Sequence, residues 1–501
     1  MKSKALFFFA ATFCCGLIFA SGEDCSCSVT PESQGVSSQG ILDWIDACEK
    51  EFDAVHGFVI RRHGKVIAEG SWKPFDTLNE PHILYSHTKS FISTAIGLLV
   101  DEKKLDLDER VVDIFPYDLP AEKSDRLKSL RVRDLLTMNM GTKDHQLKTN
   151  KSWVKTALAK EFLVDPGTRF KYDSDATFLL SAIVQKKSQM KTMDYLEEKL
   201  FKPLGIRNAW TTCSPEGIAC GGWGMHMTTR DISKFGQLYL NEGVWKGRQI
   251  ISSDWVRLAT SKQTASGWGD VVESDSDWYQ GYGFQFWRCR YNAYRADGAY
   301  GQFTIVMPDQ DAVVSINASL PDMVKELELV WKHLLPAMKK GTFAENKALS
   351  DKLSRRCRNL MLKTPEGSLD GIEKFLGKYE FEKNSRGFES ICFNLENGAL
   401  TCSLKARAGE WKVPVGVKEW KRGKLKIDPE NYESIGLAIL DQSVASALAV
   451  DSKGELKFRM LFIDATLCLD LTVAEKNSSL VLDGKLSGMY GTKLSATRQV
   501  K

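Results

Sequence analysis

Residues 91–100 form an almost unbroken apolar run, Phe-Ile-Ser-Thr-Ala-Ile-Gly-Leu-Leu-Val. A helix that is apolar on nearly all sides is stable inside a core, so this run predicts a buried helix. Ser86 and Lys89 precede the run, and their spacing puts them on one helix face, with about 5–6 Å between Cβ atoms. A lysine without a role would extend to the surface. The pair therefore predicts a reactive serine whose proton passes to a neighbouring amine.

The Ser-x-x-Lys spacing by itself is weak evidence, because it occurs three times in the chain. The other two pairs are Ser152 with Lys155 and Ser188 with Lys191. Neither of these precedes an apolar run long enough to form a core helix. The prediction of a catalytic pair therefore depends on Ser86 and Lys89 together with the helix that follows them.

Length and composition limit the class of protein. A chain of 501 residues is too long for one ordinary core, so two domains are expected. The contents of 43% hydrophobic and 26% charged residues are usual for a soluble globular protein. A net charge of +4, without a basic patch interleaved with aromatic residues, argues against nucleic acid as a partner. The seven histidines lack zinc-ligand spacing, so no metal or other cofactor is predicted.

Residues 1–22 have the pattern of a secretory signal peptide. Lys2 and Lys4 precede an apolar stretch over residues 5–19, and small residues follow at positions 20–22. The stretch is short for a membrane span, although an uncleaved anchor remains the alternative. We expect a secreted or periplasmic protein with no membrane span after removal of this segment.

Cysteine usage agrees with export, since ten of the twelve cysteines lie outside the predicted signal. In an oxidising compartment they are candidates for disulfides. Cys392 and Cys402 flank Glu396-Asn397-Gly398, and a three-residue hairpin loop there would place the two thiols opposite each other. Cys213 and Cys220 flank a short loop and form a second candidate pair. Buried free thiols are the alternative for either pair.

Hydrophobic periodicity predicts that strands from both ends of the first domain enclose a helical middle. Such an order suggests an α/β sandwich in which the terminal strands join one antiparallel sheet. The predicted elements are a helix over 41–52, strands over 57–62 and 65–70, a mostly helical stretch over 83–260, strands over 282–288, 302–307 and 312–317, and an amphipathic helix over 323–338.

The character of the sequence changes after about residue 340. Residues 341–365 are mostly polar or charged and are predicted to be a linker. Residues 366–501 contain short alternating strands, such as Leu456, Phe458, Met460 and Phe462 on one face, which predict an all-β domain. A sandwich and a small barrel are both compatible with this pattern. The predicted organisation is a signal at 1–22, a first domain at 23–340, the linker, and a smaller all-β C-terminal domain.

Several segments, roughly within residues 36–340, resemble the serine β-lactamase-related family of the class C kind. This family includes penicillin-binding proteins, D-alanyl-D-alanine carboxypeptidases, esterases and nylon-oligomer hydrolases. The resemblance implies a β-lactamase-like α/β sandwich with a helical subdomain. The matching segments, in chain order, are Ser86-His-Thr-Lys89, Leu105-Asp-Leu-Asp108, the segment from Arg133 to Gly141, the segment from Asp165 to Tyr172, Gly222-Trp-Gly, Gly281-Tyr-Gly and the segment from Asp297 to Gln302.

The resemblance also implies roles for individual residues. Ser86 takes the position of the nucleophile, and Lys89 is its base if burial keeps the amine neutral. Tyr172 takes the position of the tyrosine that relays the proton to the leaving group.

The substrate-binding side of the site is implied in the same way. The oxyanion hole would consist of the backbone N–H of the nucleophile and that of Ala299. Gly298 would let its strand approach the substrate closely. Ser174, Asp297 and Gln302 lie at motif positions that bind substrate.

Two departures from the family pattern bear on the substrate. The second motif is commonly Tyr-x-Asn but reads Tyr-Asp-Ser at residues 172–174. The third motif is Lys-Thr-Gly in β-lactamases, where the lysine attracts a carboxylate, but reads Ala-Asp-Gly at residues 296–298. Neutral esters or amides are therefore expected to be better substrates than penicillins. Arg295, just upstream, is a candidate replacement for the missing positive charge.

Together these observations predict an exported serine hydrolase that cleaves an ester, an amide or a short peptide through an acyl-enzyme on Ser86. One alternative within the same class is a D-Ala-D-Ala carboxypeptidase or a weak β-lactamase. The alternative from another class is a catalytically silent binding protein with the same fold.

Overall fold

A computed structural model of the chain describes residues 29–143, 152–267, 275–427, 441–488 and 491–499. The predicted signal at 1–22 lies outside the described residues. The helices are α1 Ser38–Glu51, α2 Thr88–Asp101, α3 Val111–Ile114, α4 Asp125–Ser129, α5 Val132–Leu136, α6 Trp153–Leu158, α7 Ser174–Ser188, α8 Thr192–Leu196, α9 Lys202–Leu204, α10 Thr229–Leu240, α11 Ser253–Thr260, α12 Met323–Leu329, α13 Leu335–Ala337 and α14 Lys347–Arg358.

The strands are all antiparallel to their neighbours. In chain order they are β1 Val55–Arg62, β2 Lys65–Ser71, β3 His82–Ile83, β4 Trp210–Thr211, β5 Met225–Met227, β6 Val244–Trp245, β7 Arg248–Gln249, β8 Trp287–Arg288, β9 Tyr294–Gly298, β10 Gln302–Met307, β11 Ala312–Ala318, β12 Gly377–Glu380, β13 Phe388–Glu396, β14 Ala399–Ala406, β15 Gly409–Pro414, β16 Lys421–Lys426, β17 Asp441–Val450, β18 Leu456–Phe462, β19 Leu467–Lys476, β20 Ser479–Ser487 and β21 Thr492–Gln499.

The first domain is built on a six-stranded sheet in the order β2-β1-β11-β10-β9-β8. Helices cover both faces, which is why every residue of β9, β10 and β11 is buried. Along β11, Val313 packs into the core beneath α10, while Val314 packs into the core beneath α1. In that second core the rings of Trp44 and Phe58 lie 5.0 Å apart. The predicted sandwich, with terminal strands in one antiparallel sheet, is confirmed.

The helical subdomain contains the predicted buried helix. The twelve residues from Thr88 to Leu99 in α2 are all buried. Gly97 allows α2 to pack closely against α11, since a Cβ there would lie 2.4 Å from the indole of Trp255. The strand predicted over 282–288 is wrong for most of its length, because only Trp287 and Arg288 pair as β8. Gln285 has a φ of +65°, which interrupts an extended chain at that point.

The segment 341–365 contains the helix α14 and is more than an extended connection. Leu353 on this helix is buried, as are Leu360 and Leu362 beyond it. All three belong to the core between α1 and the main sheet. Ala445 and Ile463 of the C-terminal region also belong to that core, so the two domains share an apolar contact.

The C-terminal region is all-β, as predicted. It comprises a four-stranded sheet in the order β12-β13-β14-β15 and a six-stranded meander from β16 to β21. Both sheets contribute to one core, in which the rings of Phe393 and Phe458 lie 5.2 Å apart. Among the described residues, two ion pairs join this region to the first domain. Arg459 binds Asp53 at 2.7 Å, and Arg422 binds Glu80 at 2.6 Å.

Both predicted disulfides are wrong, because each cysteine pair is one residue out of register. A two-residue turn at Asn397-Gly398, with positive φ at both residues, joins β13 to β14. It places Cys402 opposite Phe393, so Cys402 faces the core and Cys392 faces the other side. A slip of one residue reverses the face of a side chain.

The same displacement separates the other pair, since Cys213 lies opposite Ala219 instead of Cys220. The eight cysteines within the described part of the chain are all free thiols. Across the same residues, no helix has the length and apolar character needed to span a bilayer.

Candidate active site

The turn that carries Ser86 lies where the helical subdomain meets the main sheet. Ser86 occupies a single 3₁₀ turn, Tyr85–His87, that leads directly into α2. Strand β9 ends beside this turn. A Cβ on Gly298 would lie 2.1 Å from the carbonyl oxygen of Leu84, so only glycine allows the strand and the turn to lie this close. Gly298 therefore fixes the approach of β9 to the serine-bearing turn.

Lys89 is 1% exposed, and its Nζ has three oxygen neighbours. They are Ser86 Oγ at 3.1 Å, Ser174 Oγ at 3.0 Å and the carbonyl oxygen of Gly222 at 2.6 Å. A carbonyl can only accept a hydrogen bond, whereas a serine hydroxyl can also donate one. A neutral Lys89 amine can therefore donate to Gly222 and Ser174 and accept the proton of Ser86.

Burial favours this neutral form. Desolvation lowers the pKa of Lys89 from its usual 10.5 to about 7, although Asp173, Asp297 and Asp175 act in the opposite direction. Near neutral pH the amine is thus present in both protonation states. Lys155 and Lys191, from the other two Ser-x-x-Lys pairs, are exposed and lack this environment.

Tyr172 lies beside the pair, with Lys89 Nζ 4.8 Å from the centroid of its ring. Its ring stacks on Trp287 at 5.6 Å, which fixes its orientation. Burial raises the pKa of Tyr172 far above 10, and a hydrogen bond with Ser86 offsets this only in part. Tyr172 is therefore a neutral phenol that can pass a proton on, and Lys89 is the better base.

The second motif is organised around a buried ion cluster. Asp173 is the N-cap of α7, and its carboxylate accepts a hydrogen bond from the N–H of Asp175. Lys160 Nζ binds Asp173 at 2.6 Å and Asp175 at 3.0 Å, and all three side chains are almost fully buried. The cluster holds the start of α7, and therefore Ser174, against Lys89. The Asp173 carboxylate binds Lys160, so Asp173 does not take the role of the asparagine in the family's Tyr-x-Asn motif.

A three-residue hairpin loop, residues 299–301, joins β9 to β10 next to the serine. Gln302 is fully buried, and its amide nitrogen donates to the carbonyl oxygen of Ala318 at 2.6 Å and to that of Ala299 at 3.2 Å. Its amide oxygen accepts from Asn317 at 3.0 Å. Gln302 thus supports the loop that carries Ala299 from below and is closed off from the solvent.

Asp297 is paired with a buried cation. Arg295 Nε binds Asp297 Oδ2 at 2.8 Å, and Arg295 is fully buried over the ring of Trp278. A second nitrogen of Arg295 donates to the carbonyl oxygen of Asp277 at 2.9 Å. Arg295 is therefore committed inside the fold, and its proposed role as a carboxylate anchor is wrong. Burial raises the pKa of the Asp297 carboxyl, while Arg295 and Lys89 lower it.

Sequence reasoning missed two contributors to this site. The carbonyl of Gly222 binds Lys89 directly, and its only signal was the family-like Gly-Trp-Gly segment in which it lies. Lys160 had no signal at all, because only burial distinguishes it from the other basic residues. Across the described residues, no three side chains of His, Cys, Asp or Glu are grouped closely enough to hold a metal ion.

With this geometry in place, comparison with known proteins identifies the class. The beta-lactamase family profile matches residues 45–335, more than half of the chain, and the chain belongs to this family. The predicted resemblance is thus confirmed. The family includes hydrolases, and this supports a hydrolase of the serine kind.

Individual relatives are distant. The 6-aminohexanoate-dimer hydrolase of Paenarthrobacter ureafaciens is 26% identical over 287 residues, which are 53% of this chain and 72% of that protein. A solved structure named "Putative 6-aminohexanoate-dimer hydrolase", from Bacillus anthracis, aligns with a TM-score of 0.50 at 17% identity, over 65% of this chain and 87% of that one. A beta-lactamase-like structure from Bacteroides dorei aligns with a TM-score of 0.51 at 17% identity, over 60% and 99% of the two chains. At these identities the structures support the fold alone.

Proposed function

We propose that this protein is an exported serine hydrolase that cleaves a small neutral ester or amide through an acyl-enzyme on Ser86. The observation that carries the proposal is the buried Lys89 amine, 3.1 Å from Ser86 Oγ, with a pKa near 7. A serine hydroxyl is a weak nucleophile until a neighbouring base takes its proton. A lysine that is partly neutral at physiological pH is suited to that role.

The reaction then proceeds in two stages. Ser86 Oγ attacks the substrate carbonyl carbon as its proton passes to Lys89, and the N–H groups of Ser86 and Ala299 stabilise the oxyanion. The carbonyl re-forms as the bond to the leaving group breaks, and that group takes the proton from Lys89 through Tyr172. Water attacks the resulting ester by the same route in reverse and releases the acid and the free serine.

The charges around the site favour neutral substrates. The motif position of the family's lysine is held by Ala296, which is 1% exposed and belongs to the core. Arg295 is neutralised by Asp297 and buried, so neither residue offers a cation to a substrate carboxylate. Loss of one charge-assisted hydrogen bond costs roughly 1.5–3 kcal/mol, or about 10- to 100-fold in kcat/KM.

A fluorophosphonate probe tests the nucleophile. One adduct is expected, located by mass spectrometry on the peptide that contains Ser86, and it should disappear in Ser86→Ala. Ser188→Ala is the matched control, since Ser188 has the same spacing to a lysine that is exposed. Labelling that persists in Ser86→Ala contradicts the proposal, and an absence of labelling in the unmodified protein favours the silent binding protein.

Turnover of a p-nitrophenyl ester, a p-nitroanilide and a chromogenic cephalosporin under the same conditions tests the substrate class. We expect the ester or the anilide to exceed the cephalosporin in kcat/KM by about tenfold or more. A cephalosporin efficiency equal to that of the ester would instead favour a weak β-lactamase, and release of D-alanine from a D-Ala-D-Ala peptide would favour the carboxypeptidase.

Export is proposed from residues 1–22 alone, because the free thiols remove the support that disulfides would have given. The expected mature N-terminus lies near residue 23. Expression with the native leader, followed by N-terminal sequencing of protein outside the cytoplasm, tests this. Recovery of the full-length chain only inside the cell would contradict it.

A further inference from the structure

A turn of the C-terminal domain reaches the residue that precedes the candidate nucleophile. The turn spans residues 463–466 and joins β18 to β19. The Oγ1 of Thr466 lies 2.7 Å from the hydroxyl oxygen of Tyr85, and Thr466 is only 3% exposed. Tyr85 directly precedes Ser86 in the chain. The side chain of Tyr85 therefore links the C-terminal domain to the candidate nucleophile.

The turn is held firmly from both sides. The carboxylate of Asp464 accepts the N–H of Ser443 at 2.6 Å and the amide nitrogen of Gln442 at 3.2 Å. Ile463 is buried in the core of the first domain, whereas Ala465 is buried in the core of the C-terminal domain. The position of the Thr466 hydroxyl is therefore fixed relative to both domains.

Tyr85 and Tyr300 each occupy a backbone conformation that bulky residues avoid. Their φ angles are +46° and +65°. Such conformations persist only where the surroundings determine them. The two rings contact each other, with centroids 5.7 Å apart at an angle of 56°. Thr466 therefore holds one member of a tyrosine pair whose backbones lie on either side of the site.

The position of this pair relates it to the proposed chemistry. Ser86 follows Tyr85 directly, and Ala299 directly precedes Tyr300. These neighbours carry the two N–H groups proposed for the oxyanion hole. Rotation of the Tyr85 backbone would turn the peptide group that carries the Ser86 N–H, and a shift of Tyr300 would move Ala299 together with its N–H. Oxyanion donors act only at the correct distance and angle.

We infer that Thr466 is a positioning residue. Its hydroxyl holds the side chain of Tyr85, and the ring of Tyr85 in turn holds that of Tyr300. Both oxyanion donors are thereby kept pointing at the same place. This inference rests on the proposed function. It gives the second domain a part in catalysis, although none of its residues touches the substrate in this scheme.

Thr466→Val tests the inference, since it removes the hydroxyl and keeps the volume of the side chain. We expect kcat for p-nitrophenyl butyrate to fall roughly three- to tenfold, the range for one hydrogen bond, with KM unchanged. Thr466→Ser should restore kcat. Tyr85→Phe should lose as much as Thr466→Val, and the double variant should lose no more than either.

Rates are divided by the concentration of active sites, titrated with the fluorophosphonate, so that partial misfolding does not imitate the effect. Thr472→Val is the matched control on β19, where the hydroxyl accepts a hydrogen bond from Lys457 at 3.3 Å, and no change in kcat is expected. If Thr466→Val is insoluble, Tyr85→Phe and Thr466→Ser still give the comparison.

Any of three results would overturn the inference. They are an unchanged kcat in Thr466→Val, additive losses in the double variant, and a Thr466→Ser variant as slow as Thr466→Val. An unmodified protein that the fluorophosphonate does not label would overturn the proposed function instead, so the two failures are distinguishable.

Discussion

Acylation by this protein should depend on pH through a single ionisation at Lys89. In the proposed mechanism the amine takes the proton of Ser86, so only the neutral form is active. Since burial lowers the pKa of Lys89 to about 7, activity is expected to rise with pH, with a midpoint near pH 7, and then to level off. Below the midpoint the rate should fall tenfold for each pH unit.

The magnitude follows from the pKa. A shift from 10.5 to about 7 is 3.5 units. At about 1.36 kcal/mol per unit, it corresponds to roughly 5 kcal/mol against the ammonium form. At the usual pKa only about one lysine in 3,000 would be neutral at pH 7, whereas about half are neutral with the lowered value. The buried position of Lys89 thus contributes about a thousandfold to the active fraction.

The measurement is kcat/KM for p-nitrophenyl butyrate across a range of about pH 5 to 9, with circular dichroism at each pH to exclude unfolding. Lys89→Ala should be slower by about 10²- to 10⁴-fold and should lose the ionisation at pH 7. A midpoint above about pH 9, or an unchanged midpoint in Lys89→Ala, would refute the assignment of Lys89 as the base.

Four further results are expected. Lys89→Met should slow turnover as much as Lys89→Ala does. It should nevertheless raise the free energy of unfolding at neutral pH by about a few kcal/mol in urea denaturation, because the lowered pKa of the buried lysine makes the fold less stable as pH falls from 10.5 toward 7. Asp297→Asn should raise the ratio of cephalosporin to ester turnover, because it removes a carboxylate that repels an anionic substrate. The same ratio should not change in the control Asp309→Asn, since Asp309 is exposed. An unchanged ratio in both variants would contradict the charge argument. A chain that ends at residue 345 should not fold, as judged by circular dichroism, because it lacks the buried side chains that α14 and the following residues contribute to the core of the first domain. A folded product that the fluorophosphonate still labels would show instead that the domains are separable. Acid should destabilise the protein, because burial lowers the pKa of His82 from 6.5 to about 4. The free energy of unfolding should fall by about 1.4 kcal/mol per pH unit as pH falls from 6.5 toward 4. Thermal melts measure this slope, and His82→Gln should reduce it.

Local patterns in the sequence predicted much of the fold. The apolar run after Lys89 indicated a buried helix, because a side chain's tendency to leave water depends on its own chemistry. The alternation in β18 indicated a strand for the same reason. The order of the family-like segments then indicated which serine, lysine and tyrosine to expect in the site.

Contacts between distant segments were decided only by the tertiary structure. The disulfide predictions failed because the register of a hairpin depends on its turn, and a slip of one residue moves Cys392 to the other face of the sheet. Lys160 looks like an ordinary surface cation in the sequence, and Arg295 was interpreted there as a candidate carboxylate anchor. Their roles became visible only when Asp173 and Asp297 were placed beside them.

The sequence by itself thus determined that the run after Lys89 is buried, that the C-terminal region is all-β, and which family the first domain belongs to. The tertiary structure decided the lowered pKa of Lys89, the ion pairs beneath the site and the contact of Thr466 with Tyr85, which are separated by 381 positions in the chain. The physical reason is that the tendency of a residue to be buried depends on that residue and on its near neighbours in the sequence. Desolvation, ion pairing and hydrogen bonding across domains exist only once the folded chain has brought distant atoms together.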